Sequence, residues 1–381
     1  MPLPQEVKRI DYFDSLRGLA AVAVLFSHFI GAYLLPPRLE GTVGAAVLQV
    51  TWDGFAAVSL FFVLSGFVLS WKHSMDRGLQ GCQPFSLATF WILRAARIWP
   101  PFLAALAFSA VCQRWLFSHW ETHPAQTEWI RGHFHGDYGW IGLLKQAFFV
   151  VADPRANLVP QDWTLRVELK FSFLMPFLIL LATRSSIWLV LFSALCVDAF
   201  HVSYFLFHFT LGILMAKHQA QIAVFCRRCT RAGRVLGLAL GILLYGSHKY
   251  IAPFLPEFGR TSIAWCLSGA GSALIMIAVI NSNLLQRALQ LPALIFLGRI
   301  SYSVYLLHFA VLMTVAPWTL RSLNALGIVG ESVTRGAGLA VTLAVTVLVS
   351  TVSYQFVERP SIRLGRAVHA RFNYWREKKI T

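Results

Sequence analysis

The stretch Asp14-Ser-Leu-Arg17-Gly-Leu-Ala-Ala-Val-Ala-Val-Leu-Phe-Ser27-His28-Phe29 is apolar enough to cross a bilayer, yet it carries two ionisable side chains eleven residues apart. At about 100° per residue, eleven steps return to within roughly 20° of the starting direction, so Arg17 and His28 share one helix face about 16 Å apart. The arginine then lies at the membrane surface and the histidine deep inside. An ionisable group at that depth is costly unless it faces protein or a water-filled cavity, which makes His28 a candidate functional residue. A histidine satisfied by a neighbouring helix is the plainer alternative. Asp14 stands three residues before Arg17, the spacing that lets the two pair and holds the guanidinium in place.

Composition extends this reading to the whole chain. Of 381 residues, 57% are hydrophobic and 13% charged, with 13 Trp and 30 Phe, and the mean hydropathy is +0.60. That is far too apolar for a soluble domain. The 33 Lys and Arg against 17 Asp and Glu give a net charge of +16. The basic residues fall at the ends of apolar runs, the pattern of an asymmetric distribution across a bilayer, and no nucleic-acid partner is expected. Cys82, Cys112, Cys196, Cys226, Cys229 and Cys266 are scattered, mostly in or beside apolar runs, as small hydrophobes. Cys226-Arg-Arg-Cys229 has the spacing of half a zinc site with no second pair at a usual distance, so no metal is expected. The first apolar run resembles a signal peptide, but Arg17 and His28 interrupt it and Pro36-Pro37-Arg38 follows in place of a small-residue cleavage site. It reads as an uncleaved first span.

Apolar stretches near 18–35, 54–71, 91–113, 163–182, 186–198, 200–216, 235–250, 262–280, 293–316 and 335–356 each suit a helix crossing about 30 Å of hydrocarbon. The stretches 186–198 and 200–216 are short and suit a tilted or incompletely crossing hairpin. Segment 139–151 is short, carries Lys145 and reads as interfacial. With the N-terminus in the cytoplasm, most of the 33 basic residues fall inside, among them Lys8, Arg9, Lys72, Arg77, Lys217, Arg227, Arg228, Arg231, Arg234 and the run from Arg359, although the outer loop 114–162 is the longest. The expected fold is an all-α polytopic transmembrane helical bundle of about ten spans, both termini cytoplasmic. One domain covers 1–381, with the spans inside 10–360 and a basic, lipid-facing cytoplasmic tail at 361–381.

Three further groups carry chemistry. Arg94 and Arg97, at the cytoplasmic start of the third span, are spaced i,i+3 and form a fork suited to phosphate oxygens; two snorkelling arginines at lipid headgroups are the alternative. At the outer end of the fourth span, Asp162-Trp163-Thr164-Leu165-Arg166-Val167-Glu168-Leu-Lys170 crowds charges ahead of an uninterrupted apolar run. Glu168 is the one expected to turn inward, because Arg166 and Lys170 reach the interface, and it could orient or charge a histidine; pairing with Arg166 or Lys170 is the alternative. In the ninth span, Leu297-Gly-Arg299-Ile-Ser301-Tyr302-Ser303-Val-Tyr305-Leu-Leu-His308 places a second histidine at a middle depth comparable to that of His28. His201 and His208 have no such flanking pattern and read as packing residues.

These motifs together give the chain a family resemblance: it is similar to the acyltransferase-3 integral membrane acyltransferases. The resemblance runs nearly end to end through Asp14-x-Leu16-Arg17-Gly18 with His28, Phe61-Phe-Val-Leu-Ser-Gly-Phe-Val-Leu69, Arg94-x-x-Arg97-Ile-x-Pro100, Trp163-Thr-Leu-x-Val-Glu168, the 297–308 motif, and Ser353-Tyr-Gln-Phe-Val-Glu358-Arg359-Pro360. It implies transfer of an acyl group, usually acetyl from acetyl-coenzyme A, to a hydroxyl of a sugar or glycosylated product, commonly outside the cytoplasm. The expected setting is the cell's inner membrane. His28, Arg17 and Glu168 are the expected catalytic residues, Arg94 and Arg97 the grip for acyl-CoA, and Asp14, Ser301, Tyr302, Tyr305 and His308 their supports. Two departures stand out. Arg166 replaces the family's usual serine in Trp-Ser-Leu-Ser-Val-Glu, beside the expected acceptor site. No extracytoplasmic hydrolase-like domain follows the last span, so any second chemical step is expected to need another protein.

Mechanistically, a neutral His28 suits general-base removal of the acceptor's proton, and a covalent acyl-histidine is the other route. Direct transfer is preferred. Sidedness follows from the arginine fork at the inner edge and from Glu168 with the 114–162 segment toward the outer one: donor from the cytoplasm, acceptor from the opposite face. A proton-coupled transporter using the same His, Arg and Glu, and a non-catalytic scaffold, are the competing classes. The inverted repeats and broken helices that a transporter would show are not evident.

Overall fold

The computed structural model describes residues 10–33, 50–75, 87–117 and 123–378, except 135, 137, 152, 199–203, 252–253 and 255–259. Lys8, Arg9, Pro36, Pro37, Arg38, Arg77, Cys82 and His201 lie outside the described residues. Eleven principal helices follow one another: α1 (Asp11–Tyr33), α2 (Gly54–Met75), α3 (Leu87–Val111), α4 (Asp162–Arg184), α5 (Ser186–Asp198), α6 (Phe205–Lys217), α7 (Arg231–Tyr245), α8 (Arg260–Ile280), α9 (Pro292–Ala325), α10 (Glu331–Ser353) and α11 (Arg359–Lys378). There is no strand among the described residues.

Where it is described, each of the ten apolar stretches is largely helical, and among the described residues six helices are long and apolar enough to cross a membrane: 11–33, 54–71, 90–116, 261–280, 292–325 and 331–371. The others fall short for identifiable reasons. Helices α5 and α6 have 13 residues each and α7 has 15, about 20 Å at 1.5 Å per residue against roughly 30 Å of hydrocarbon. Helix α4 has 23 residues but opens on the charges Asp162, Arg166, Glu168 and Lys170.

Glycine contacts set the packing. Helices α1 and α9 run parallel, and their backbones meet at Gly18 and Gly298. A Cβ on Gly298 would stand 2.3 Å from the Asp14 carbonyl, and one on Gly18 would stand 2.6 Å from the Gly298 nitrogen. Without a side chain at either position the helices close to backbone contact, the small-residue packing that membrane helices use in place of a hydrophobic driving force. Helices α2 and α6 meet in the same way at Gly66 and Gly212, where a Cβ would be 2.4 Å from the Phe209 oxygen and 2.3 Å from the Val63 oxygen.

The segment between α3 and α4 is folded onto the bundle. Thr127 donates from its backbone nitrogen to the Ala32 oxygen (2.9 Å) and from its hydroxyl to the Gly31 oxygen (2.7 Å), satisfying carbonyls that the end of α1 leaves free. The short helix Trp140–Ala147 follows, and Phe149 stacks on Phe102 of α3 with ring centroids 4.5 Å apart. Just before α4, the Gln161 amide reaches the middle of α9 and donates to the carbonyls of Tyr305 and Leu306, both at 2.8 Å. Helix α4 therefore starts deep in the bundle.

At the other extreme, α10 runs through a π-helical turn, Tyr354–Glu358, into α11. Gly365 of α11 packs against Ala96 and Leu93 of α3, so the region expected as a tail leans on the helix that carries Arg94 and Arg97.

Gly298→Ala should therefore lower the thermal unfolding midpoint in detergent, by the roughly 1–3 kcal/mol typical of overpacking. Gly237→Ala, where an added Cβ meets nothing within 4 Å, should leave the midpoint unchanged or raise it slightly. Equal behaviour of the two variants would refute the backbone contact.

Candidate active site

The parallel register of α1 and α9 fixes two levels. At the upper level, His28 Nδ1 lies 2.9 Å from His308 Nε2. The rings are nearly parallel, with an interplanar angle of 23° and centroids 5.1 Å apart. His308 is fully buried, and its Nδ1 lies 3.1 Å from the Val304 oxygen and 2.8 Å from that of Tyr305. Trp129, from the segment that caps α1, stands 5.6 Å from the His28 ring and Phe309 stands 5.7 Å from it. His133 lies beside Phe309 at 5.0 Å and bonds its own helical turn at the Trp129 oxygen, 3.0 Å away. Burial holds the His133 imidazole below its ordinary proton affinity. The two intramembrane histidines singled out from the sequence are thus joined to each other.

The lower level gathers the charges. Arg17 pairs with Asp14 at 3.8 Å; Glu168 and Glu358 also attract it, and Arg97 repels it. Arg94 makes a 2.6 Å ion pair with Glu168 and donates to the Ser172 hydroxyl at 2.9 Å. A small cavity between α1, α2, α4 and α9 is lined by Arg17, Ser65, Thr164, Glu168, Ser301, Tyr302 and Tyr305. Tyr302 donates to the Ile98 oxygen of α3 at 2.9 Å. The Tyr305 hydroxyl meets Thr164 Oγ1 at 2.7 Å, and Ser301 donates to the Gly298 oxygen at 2.9 Å. Arg17, Glu168, Ser301, Tyr302 and Tyr305 therefore share one cavity, with Arg94 behind Glu168, while His28 stands about three turns beyond Arg17 on α1 and the His308 ring lies 6.0 Å from that of Tyr305 on α9.

One expectation about position fails. Glu168 and the arginine fork do not occupy opposite edges of the bundle but touch. The reason is the insertion of Gln161 against α9: α4 begins at depth, so its second turn meets the lower part of α3. Glu168 takes neither of its expected neighbours as partner. Arg166 pairs instead with Asp162 at 3.0 Å and donates to the Val151 oxygen at 3.0 Å, which ties the arginine that replaces the usual serine into the start of α4. His208 is fully buried against Ser59 Oγ (3.1 Å) and the Tyr204 oxygen (3.2 Å), in a packing environment.

Several participants escape sequence reasoning. Glu358, part of the 353–360 motif but given no role there, is buried in the π-helical turn and accepts from Ser303 at 2.9 Å; π-turns gather at functional sites. Gln161 and Trp129 come from a polar segment with no periodicity to place them. Among the described residues no group of three or more His, Cys, Asp or Glu could hold a metal ion.

Comparison with known proteins bears on what this arrangement does. Residues 10–354 match the family described as an acyltransferase domain. Acyltransferase MdmB of Streptomyces mycarofaciens is 27% identical over 95% of this chain and 94% of its own length. Exopolysaccharide production protein ExoZ of Rhizobium meliloti is 29% identical over 82% of this chain and 91% of its own. Peptidoglycan O-acetyltransferase OatA of Listeria monocytogenes is 22% identical over 94% of this chain but only 56% of its own. No solved structure matches the chain with significance. Nothing in these relationships supports a transporter. With a family match spanning almost every helix of the bundle, the chain belongs to the acyltransferase-3 family and is an O-acyltransferase.

Proposed function

We propose that the protein moves an acyl group, acetyl in the first instance, from acyl-coenzyme A to a hydroxyl of a carbohydrate or glycosylated acceptor. The observation that carries this reading is the pairing of two levels on one helix. A cluster of guanidiniums around Arg17 lies eleven residues below His28, about 16 Å along the axis. The phosphates of coenzyme A suit the arginines, and its pantetheine arm is long enough to carry the thioester from there to the histidine pair. Relatives named for peptidoglycan and exopolysaccharide support a glycan as acceptor.

In the reaction proposed, the acceptor oxygen attacks the thioester carbonyl carbon as His28 takes the hydroxyl proton. The carbon–sulfur bond then breaks, and the departing sulfur receives that proton from His28, so the histidine ends as it began. Arg97 is the more available of the fork, because Arg94 is already committed to Glu168. Tyr302, Tyr305 and Ser301 line the lower cavity, and the Tyr305 ring stands 6.0 Å from that of His308. The donor enters at the Asp11 end, which the excess of basic residues assigns to the cytoplasm. The acceptor approaches at the end capped by Thr127 and Trp129. The protein is then a multi-pass component of the cell's inner membrane, and acyl groups cross it while coenzyme A does not.

Purified protein given radiolabelled acetyl-coenzyme A and candidate glycans should label a product, and His28→Ala should abolish that label with membrane insertion intact. Near-normal turnover in the variant would remove His28 from the chemistry. Arg97→Ala should weaken coenzyme A binding by roughly 1.5–3 kcal/mol in calorimetry, and less for a dephospho analogue. Equal affinity in wild type and variant would return Arg97 to the lipid headgroups. In sealed, oriented vesicles, acetyl-coenzyme A confined to the cytoplasmic face should acylate an impermeant acceptor on the other face. Product formed only when both substrates share the cytoplasmic compartment would overturn the crossing.

A further inference from the structure

The hydrogen-bond directions around the histidine pair fix where its protons sit. His308 Nδ1 has two partners, the oxygens of Val304 at 3.1 Å and Tyr305 at 2.8 Å. A carbonyl oxygen only accepts, so this nitrogen carries a hydrogen. A neutral imidazole carries one N–H and one lone pair, which leaves His308 Nε2 as an acceptor. A doubly protonated ring would place a charge at a fully buried position with no carboxylate among its hydrogen-bond partners, a costly state. The 2.9 Å contact between His308 Nε2 and His28 Nδ1 then needs its hydrogen from His28. With that hydrogen on Nδ1, the lone pair of His28 is on Nε2, the nitrogen that has no partner among the described residues.

We propose that His308 is a positioning residue that holds His28 in the Nδ1–H form, so that His28 Nε2 is the atom that receives the acceptor's proton. Free neutral imidazole of histidine favours the opposite form, with the hydrogen on Nε2, and in that form the outward nitrogen is a donor and cannot act as a base. His308 reverses the preference. When Nε2 of His28 takes a proton, the Nδ1–H bond to His308 is already in place and strengthens as the ring becomes charged. The buried lone pair of His308 thus fills the role that a carboxylate fills behind the histidine of a hydrolase triad. The chain behind His308 is fixed as well: the Tyr305 oxygen that accepts from His308 also accepts from Gln161 at 2.8 Å, so the residue just before α4 braces the carbonyl that sets the tautomer.

This inference rests on the acyl-transfer reading for its consequence but not for its first test. In 15N-histidine-labelled protein reconstituted in lipid, the nitrogen spectrum distinguishes the two neutral forms directly. His28, assigned by its loss in His28→Ala, should show Nδ1 protonated and Nε2 unprotonated. In His308→Phe, which keeps a ring and removes the acceptor, that pattern should change to the Nε2–H form. A wild-type His28 protonated on Nε2, or an unchanged His28 pattern in His308→Phe, would overturn the proposal whatever the enzyme acylates.

Kinetics provide the second test. His308→Phe should lower kcat by at least about 100-fold with the KM values of donor and acceptor within about twofold. His308→Gln, whose amide oxygen can accept from His28 Nδ1 in the same place, should recover a substantial part of kcat. Equal kcat in wild type and His308→Phe would overturn the positioning role, and so would losses of equal size in the Phe and Gln variants. If the spectrum shows the expected form while wild-type protein transfers no acyl group, the positioning stands and the acyl-transfer reading falls.

Discussion

The backbone contact between α1 and α9 is the constraint on which the rest depends. Gly18 and Gly298 let the two helices close until a methyl group at either position would collide with main-chain atoms. Because the helices run parallel, a register fixed at that contact persists along both. Ten residues beyond Gly18 and ten beyond Gly298 stand His28 and His308, and the 2.9 Å bond between them is the later reading of the same register. The lower cavity follows from it too, since Arg17 and Ser301 flank the contact and both line that space. A bundle held apart at the glycines would have the same residues and neither level.

Electrostatics explain why so many guanidiniums tolerate one region. Arg17, Arg94 and Arg97 gather where three carboxylates, Asp14, Glu168 and Glu358, are within reach. A partly buried ion pair offsets the cost of desolvating its members only when the remaining polar atoms are also bonded. In the Arg94–Glu168 pair, Ser172 bonds the guanidinium nitrogens Nε and Nη2 in addition to the carboxylate contact. Among the described residues Arg97 has no comparable ion pair or side-chain hydrogen bond, so positive charge remains available near the lower cavity.

What the sequence made legible was what helical periodicity controls. The face shared by Arg17 and His28, the run Ser301, Tyr302, Tyr305 and His308, and the helical nature of every apolar stretch follow from spacing alone. Hydropathy, by contrast, measures length and not depth. It could not tell that α4 starts inside the bundle, because that depth is set by one amide of Gln161 against two carbonyls of α9. For the same reason it placed Glu168 far from Arg94. It also counted ten spans, among them the short pair read as a tilted or incompletely crossing hairpin, where six of the described helices are long and apolar enough to cross. Nor does one sequence reveal which histidine faces which, when the partners are separated by 280 positions.

The segment that crosses the top of the bundle touches the rigid helices chiefly at their ends and at its own aromatic rings. Thr127 rests on the last carbonyls of α1, Trp129 and Phe309 enclose the histidine, and Phe149 lies on Phe102. None of these contacts sets the register of α1 on α9. Away from Thr127, Trp129 and Gln161 the segment can therefore vary without disturbing the histidine pair, which, on the function proposed above, leaves room for different acceptors over one unchanged transfer step.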